Sequence, residues 1–539
     1  MSRFNQRAVR TLLTVSLLVV ILSCGGGGSS SNNPPGNGPT TPPGDITADF
    51  ASRQAPRFPV PAGMFGASLG FTGNGFFRNQ GALSTLTQGG ITSLRINADL
   101  QNIFNTHTPD WTQIDPQLSN LSAAGIHPMV VMGFTPFWLQ PSSNPCGTIS
   151  PPYHGAPTNV NAWAELTASF VAHVNQSFPG LVQDYEIWNE PDNASGLCTD
   201  VNSDQVRRDT YMAMYAAAAS AMRAQATADR VQIRIGGPSL TTVGLAPFWL
   251  PTFLSDPSTA PNVDFVSYHH YLAGNAAITT GLTWNDNTKT QSVVGRTQDP
   301  AIGVSARYVQ MATLVHQGLQ PNASATPIFL DEYNITASFE PDCCRNSPTF
   351  APLWNTMVVQ DALNSVFSGA SAVPAGLMYF AAQAFFPTTT VGATWFCLIG
   401  TIDARMDCAY DPANAQPYPQ YYAYALIAGP NFLGLNAGGF MANSVSVQNA
   451  ASGLIVTSFY TGNKLAVVIT NPTNSDFNNI TVKAEHPGAI GAQGTLYLLN
   501  SSNPHISQQS VSLTNVSDGT TATISVPRLS VVAIGVPTS

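Results

Sequence analysis

Residues 184–191 have the sequence DYEIWNEP, in which a short apolar and aromatic run ends abruptly in Asn, Glu and Pro. The run has the length and composition of a buried β-strand. A helical pattern rich in Ala and Met follows over Asp204–Ala226. The stretch therefore predicts a strand–loop–helix unit that carries one carboxylate, that of Glu190, just beyond the end of its strand.

The same unit recurs along the chain from about residue 58 to 428. Eight strands are predicted, and the one just described is the fourth. They are Met64–Leu69, Ser93–Asn97, Met129–Phe134, Asp184–Trp188, Gln232–Gly236, Phe265–His269, Pro327–Leu330 and Gly376–Phe380. Amphipathic stretches such as Val160–Phe178 lie between them. Eightfold alternation of strand and helix predicts a parallel (β/α)8 TIM barrel. A doubly wound open sheet is the alternative, but it would usually show a Gly-rich phosphate loop after its first strand, and none is convincing here.

Beyond Pro430 the helical period disappears. The strand-like runs there are Leu454–Tyr460, Leu465–Thr470, Ile480–Lys483, Thr495–Leu499 and Val531–Val536, and turns rich in Asn, Gly, Ser and Pro separate them. This pattern predicts an all-β sandwich. We therefore expect the barrel over residues 46–428 and the sandwich over residues 429–539.

The N-terminus has the pattern of an export signal. Three arginines precede an apolar run, Leu12–Leu22, that is too short to span a bilayer. The run ends at Leu22-Ser23-Cys24-Gly25, which resembles a bacterial lipoprotein signal; ordinary signal cleavage beside an incidental Cys is the alternative. The resemblance implies a signal peptide over residues 1–23 and a lipid on Cys24, so that the protein is extracytoplasmic, anchored to the cell envelope or secreted. Residues 24–45, rich in Gly, Ser and Pro, are predicted to form a disordered linker.

Composition narrows the choice of partners. The net charge is −9 and charged residues make up only 9% of the chain, with no basic stripe, which argues against nucleic acid as a partner. Apart from Cys24 there are six cysteines, none with zinc-site spacing to His, so we expect no metal and some disulfides. Six cysteines allow fifteen pairings. We expect Cys146 to pair with Cys198 and Cys397 with Cys408, while the adjacent Cys343 and Cys344 pair with each other or with separate partners.

Two predicted strands end in a carboxylate. The fourth ends at Glu190, and the seventh ends in Asp331-Glu332. Side chains that follow barrel strands meet at one mouth of the barrel. Two carboxylates that face each other there are what retaining glycoside hydrolysis requires, one as acid/base and the other as nucleophile. Alternation directs only one of Asp331 and Glu332 into the mouth.

Asn-Glu-Pro after strand four together with a Glu after strand seven resembles glycoside hydrolase clan A. The resemblance implies that Glu190 is the catalytic acid/base and Glu332 the nucleophile, which also favours Glu332 over Asp331. It further implies that Asn189 binds the 2-hydroxyl of the substrate. An ordinary turn is the alternative for an isolated Asn-Glu-Pro.

Two more strand ends agree with this resemblance. Arg95 lies on strand two, where the clan often has an Arg beside the nucleophile; a buried ion pair is the alternative. Strand six contains Ser267, His269 and Tyr271 on one face, similar to a clan pattern in which the Tyr contacts the nucleophile. We expect a cation near Glu332 to favour its ionised form and burial to raise the pKa of Glu190.

The sequence after strand three, GFTPFW over residues 133–138, is similar to that of family 39 barrels. That family includes xylosidases, iduronidases and exopolysaccharide hydrolases. Trp138, and Trp395 after strand eight, are candidates for stacking on sugar rings, with core packing as the alternative for both.

The leading hypothesis is therefore a retaining glycosidase that needs no cofactor, acts on a β-linked oligo- or polysaccharide and is a monomer. One alternative is an inactive barrel that only binds glycans at the cell surface, although both carboxylates are present. Another is a transglycosylase, which would use the same two carboxylates.

Overall fold

The structure is a computed structural model, and it describes residues 46–51, 58–69, 80–273, 303–318, 326–336, 350–382, 397–401, 415–447, 453–488, 490–500 and 502–538. Cys24, Cys343, Cys344, Trp395 and Cys408 lie outside these ranges. No helix within them is long and apolar enough to cross a membrane.

Eight parallel strands close into a barrel, which confirms the predicted TIM barrel. They are β3 (Phe65–Ser68), β4 (Ser93–Asn97), β5 (His127–Met132), β6 (Asp184–Ile187), β7 (Arg234–Leu240), β8 (Phe265–Ala273), β9 (Ile328–Thr336) and β10 (Gly376–Phe380). The last strand pairs with the first, Leu377 opposite Phe65. Because this pairing leaves no free edge, the open-sheet alternative is excluded.

Helices surround the barrel. Those within the described residues are α1 (Gln80–Gln88), α2 (Leu100–Ile103), α3 (Asp115–Ala124), α4 (Val160–Ser177), α5 (Asp204–Asp229), α6 (Ala246–Ser255), α7 (Val304–Gly318), α8 (Phe350–Asn364) and α9 (Pro419–Ala428). On α4, Trp163, Phe170 and Val174 are buried against the barrel. The amphipathic spacing of these residues is the physical reason that the sequence pattern located this helix.

Alternation along each strand separates the barrel interior from the layer under the helices. On β4, Leu94 and Ile96 pack in the core between strands and helices, whereas Arg95 points inwards. Low in the interior, Met129, Phe265, Phe329 and Met378 form an apolar plug. Polar side chains follow above the plug, so the barrel is filled and its chemistry is confined to one mouth.

Two sheets form the predicted sandwich, and most of their strands follow the barrel in the sequence, although β1 (Ile46–Asp49) and β2 (Pro59–Val60) precede it. The five-stranded sheet has the order β14 (Ser444–Val447), β1 (Ile46–Asp49), β17 (Phe477–Glu485), β21 (Gly519–Val526) and β20 (Thr514–Val516). The seven-stranded sheet has the order β19 (Asn503–Ser512), β18 (Gln493–Asn500), β22 (Ser530–Pro537), β16 (Lys464–Asn471), β15 (Ile455–Thr461), β13 (Gly439–Met441) and β2 (Pro59–Val60). A small hairpin, β11 (Ile399–Thr401) with β12 (Ala415–Pro417), lies outside both.

The central strands of the seven-stranded sheet are buried on both faces. On β16, Val467 and Ile469 pack against the other sheet, while Val468 belongs to the core that it shares with the barrel. Gln360 of α8 crosses this boundary: its amide donates to the carbonyl oxygens of Ile455 and Val468 at 3.2 and 3.1 Å. The sandwich therefore packs on the barrel helices through an apolar surface with a satisfied polar contact.

Candidate active site

Arg95 is the centre of a buried charged network at the carboxyl ends of the barrel strands. Its side chain is 3% exposed. Nη1 donates to Oε1 of Glu332 at 2.6 Å, and Nε donates to Oε2 of Glu186 at 2.7 Å. Nε also lies 3.1 Å from Oδ2 of Asp331. Burial disfavours the charged form, but these carboxylates raise the pKa of Arg95 above its usual value, so it stays a cation.

Glu332 is held from two further sides. The hydroxyl of Tyr271 donates to its Oε2 at 2.7 Å, and Nδ1 of His269 lies 3.4 Å from the same oxygen. Strict alternation would turn either Asp331 or Glu332 away from the interior, yet both contact Arg95. The reason is a shift in register between β8 and β9: Tyr268 pairs with Leu330, but the next residue pairs with Glu332.

Glu190 lies on a sharp turn after β6. It has a left-handed backbone conformation, with φ of 49°, and its N–H donates to the carbonyl oxygen of Ser239 at 3.1 Å. Gly196 packs against this turn so closely that a Cβ there would lie 2.0 Å from the Glu190 carbonyl oxygen. The packing holds the Glu190 side chain, which is 20% exposed, towards the open mouth.

His269 connects the two candidate catalytic carboxylates. Its Nδ1 is 2.8 Å from Oε1 of Glu190, and its Nε2 is 2.8 Å from Oγ of Ser239. Because Ser239 donates its single proton to Asp331 at 3.1 Å, Nε2 of His269 must be the donor to Ser239. Within the described part of the chain, Nδ1 faces only the carboxylates of Glu190 and Glu332. In the substrate-free protein, one proton therefore lies on Nε2 of His269 and a second lies between Nδ1 and Glu190. When this second proton is on Nδ1, His269 is charged; when it is on Glu190, His269 is neutral.

The pKa values agree with a charged His269. Burial lowers the pKa of His269, but the charges of Glu332 and Asp331 and hydrogen bonds to Asp331 and Glu190 raise it well above the usual value. For Glu190 we expected a raised pKa. Burial does raise it, but the hydrogen bond and charge of His269 outweigh burial, and the pKa of Glu190 is lowered. The expectation was wrong because the sequence did not show that His269 contacts Glu190.

The structure brings together six of the predicted site residues: Arg95, Asn189, Glu190, His269, Tyr271 and Glu332. Oδ1 of Asn189 accepts from Nη2 of Arg95 at 2.7 Å, so its amide offers N–H groups to a ligand. Trp138 is half-buried, and its indole N–H donates to the carbonyl oxygen of Phe104 at 2.8 Å. Its neighbour Phe137 is 76% exposed.

Sequence reasoning missed Ser239, which accepts from Nη2 of Arg95 at 2.9 Å and joins it to His269 and Asp331. The signal for it was weak, since a lone Ser near a strand end is common.

Glu190, His269 and Glu332 also have spacing that a metal ion could use, with one nitrogen or oxygen atom of each within 4.8 Å of the others. The charge of Arg95 beside Glu332, and the charge on His269 itself, disfavour a cation there.

A disulfide joins Cys146 and Cys198 in the loops after β5 and β6. It stabilises the loop that follows Glu190, where Cys198 N–H donates to the His154 carbonyl oxygen at 2.9 Å. Cys397 is also disulfide-bonded; its expected partner, Cys408, lies outside the described residues. Disulfides suggest an oxidising, extracytoplasmic compartment.

Replacing both Cys146 and Cys198 by alanine is expected to lower the free energy of unfolding by about 2–4 kcal/mol, because the bond closes a loop of 52 residues in the unfolded chain. A denaturant titration followed by tryptophan fluorescence measures this change. Reductant should destabilise the wild type but have a smaller effect on the double variant. Equal stability of the two proteins would contradict the prediction.

Comparison with known proteins gives one family. Residues 77–385, more than half of the chain, match the sequence profile of the glycosyl hydrolases of family 39. None of the curated proteins matches the chain significantly.

Three solved structures illustrate the shared fold. A GH39 enzyme from Xanthomonas axonopodis pv. citri is 17% identical, with a TM-score of 0.62 over 93% of this chain and 98% of its own. A monomeric β-xylosidase from Caulobacter crescentus is 17% identical, with a TM-score of 0.60 over 92% and 99%. A bacterial orthologue of human α-L-iduronidase is 14% identical, with a TM-score of 0.60 over 92% and 84%.

Proposed function

Because the chain belongs to the glycosyl hydrolases of family 39 and is thus a glycoside hydrolase, we propose that it cleaves a β-linked glycan with retention of anomeric configuration. Glu190 is the acid/base and Glu332 the nucleophile. The observation that carries the proposal is the separation of the two side chains: one carboxylate oxygen of Glu190 lies within 4.8 Å of one carboxylate oxygen of Glu332. Retaining enzymes hold their carboxyl groups about 5–5.5 Å apart, whereas inverting enzymes need about 6.5–9.5 Å to admit a water molecule.

In the first step, a Glu332 oxygen attacks the anomeric carbon while the bond to the leaving oxygen breaks. Arg95 and Tyr271 each donate to one oxygen of Glu332, and these contacts orient the carboxylate for attack. Glu190 protonates the leaving oxygen. Its proton comes from the hydrogen bond with His269, so that His269 stores the proton until the substrate is bound.

In the second step, Glu190 acts as the base. It removes a proton from water, the resulting hydroxide attacks the anomeric carbon, and the ester bond to Glu332 breaks. Glu190 is an ionised carboxylate at this point, because it gave its proton to the leaving oxygen in the first step, and it can therefore accept a proton. His269, which gave its Nδ1 proton to Glu190 in the first step, takes the proton removed from water back from Glu190, so the starting protonation state returns. Asn189 offers N–H groups to the 2-hydroxyl of the sugar, where hydrogen bonds strengthen as the transition state forms.

The substrate is proposed as a class of glycan and not as a particular sugar. The similar structures include a β-xylosidase and an α-L-iduronidase orthologue, names that describe those proteins. For this chain we propose a β-linked oligo- or polysaccharide met outside the cytoplasm by a monomer anchored through a lipid on Cys24. Phe137, the most exposed large apolar side chain described, offers a sugar-stacking surface near the mouth.

A panel of β-linked glycans tests the proposal, with the configuration of the first product read by nuclear magnetic resonance. We expect cleavage of at least one glycan and initial release of the retained anomer. Release of the inverted anomer would contradict the retaining mechanism. Binding without cleavage across a broad panel would contradict catalysis, and transfer to an added acceptor sugar in place of water would identify a transglycosylase.

A further inference from the structure

Two carboxyl groups beneath the proposed catalytic pair compete for one cation. Glu186 and Asp331 are both fully buried, and Nε of Arg95 lies 2.7 Å from Oε2 of Glu186 and 3.1 Å from Oδ2 of Asp331. The other oxygen of each group, Oε1 of Glu186 and Oδ1 of Asp331, is buried and has no hydrogen-bond partner among the described residues. Two adjacent anions, each with an unsatisfied oxygen, would be strongly unfavourable in a barrel interior.

We propose that Glu186 and Asp331 share one proton, which Glu186 carries and donates to Asp331, and that this acid–carboxylate pair positions Arg95 against Glu332. A single proton gives the pair one hydrogen-bond donor and removes one of the two adjacent negative charges. A hydrogen bond between the two side chains also contributes to the pKa of each. Carboxyl pairs held this close ordinarily retain one proton.

The surroundings place the proton on Glu186. Asp331 contacts two cations, since its Oδ2 lies 3.6 Å from Nε2 of His269 and 3.1 Å from Nε of Arg95, and it also accepts from Ser239. Among the described residues, Arg95 is the one cation that contacts Glu186. Burial raises the pKa of Glu186 to about 8 in spite of Arg95. Burial also raises the pKa of Asp331, but His269 and Arg95 outweigh it and the pKa is lowered.

The shared proton also affects the nucleophile. This consequence rests on the proposed role of Glu332. While Glu186 is neutral, the charge of Arg95 is directed to Asp331 and Glu332. When Glu186 loses its proton above about pH 8, it competes with Glu332 for Arg95, and activity falls. Glu186 and Asp331 are thus positioning residues that act through Arg95.

The groups that face Glu186 come from four elements: Arg95 of β4, Tyr211 of α5, Ser267 of β8, and Asp331 of β9. Burial raises the pKa of Tyr211 well above its usual value, so it remains neutral where Glu186 titrates. His269 and Glu332 act on the pair through Asp331 and Arg95. Because His269 also titrates at raised pH, the effect of Glu186 has to be isolated by comparing wild type with Glu186→Gln.

Infrared spectroscopy tests the proton without using catalysis. The chain has only six glutamates, so labelling them with ¹³C shifts the carbonyl band of a protonated glutamic acid but no aspartic acid band. We expect wild type to show such a label-sensitive carboxylic acid band at pH 7 that disappears through about pH 8. Glu186→Gln should lack it, whereas Asp361→Asn, which removes a buried acid of raised pKa on α8, should keep it. Absence of the labelled band in wild type at pH 7 would overturn the proposal even if Glu186→Gln did not fold.

Kinetics test the consequence. Glu186→Gln keeps a neutral donor towards Asp331, so kcat/KM should fall less than about 10-fold and the alkaline decline should move to higher pH. Asp331→Asn removes the anion that contacts two cations, and we expect a loss of more than about 100-fold, mainly in kcat. The opposite order of severity would place the proton on Asp331. If the infrared band is present but the alkaline decline of kcat/KM is the same in wild type and Glu186→Gln, only the effect on Glu332 is refuted. If wild type does not release the retained anomer, the proposed function is refuted instead.

Discussion

Glu332→Ala is expected to lower kcat/KM by about 10⁵-fold, equivalent to about 7 kcal/mol of transition-state stabilisation. The variant lacks the oxygen that forms the covalent intermediate. It also leaves Nη1 of Arg95 and the Tyr271 hydroxyl facing an empty space at the anomeric carbon. The fold should survive, because Arg95 keeps its contacts with Glu186 and Asp331.

That empty space allows a direct check on the role of Glu332. Azide is small enough to occupy it and attack the anomeric carbon from the same side, so it should restore part of the turnover and release a glycosyl azide of inverted configuration. Glu332→Gln fills the space and should not be rescued. Glu165→Ala, which removes an exposed carboxylate on α4, serves as the matched control. Normal activity of Glu332→Ala would show that the nucleophile is another group.

Glu190→Ala is expected to have the second largest effect, about 10²–10⁴-fold on glycans whose leaving group is a sugar hydroxyl. Such an oxygen leaves only when it is protonated. Aryl glycosides with acidic phenols need little protonation, so their first step should be nearly unaffected and the intermediate should accumulate as a burst. The measurement is the ratio of kcat/KM between the two substrate types for wild type, Glu190→Ala and Glu165→Ala.

Azide distinguishes the two carboxylates by product. In Glu190→Ala it attacks the glycosyl–enzyme intermediate without needing a base, so the glycosyl azide should have the retained configuration. An equal loss on both substrate types, with no azide product, would indicate that Glu190 only maintains the structure. His269 would then be the remaining group that could donate a proton near the leaving oxygen, since its Nδ1 lies 2.8 Å from Glu190.

The barrel was predictable because its signal is local and repeated. Each strand is a short apolar run, each helix has a 3.6-residue period, and eight repeats of the pair leave few alternatives. Alternation then placed His269 and Tyr271 on one face of their strand, and the family resemblance placed Arg95 beside the nucleophile, without any structure. The same rule failed at Asp331 and Glu332, because the register shift between β8 and β9 depends on how two strands pair and leaves no mark in either strand alone.

The identity and order of the residues along the chain were by themselves enough to determine the barrel, the sandwich, the family resemblance and the strand ends on which two carboxylates lie. Those features depend on periodicity and spacing, which are properties of one chain segment at a time. The tertiary structure alone decided that His269 contacts Glu190, that Ser239 joins three charged groups and that Glu186 and Asp331 meet at Arg95. The physical reason is that proton positions and pKa values depend on distances of a few ångströms between side chains up to 237 residues apart in sequence, as for Arg95 and Glu332.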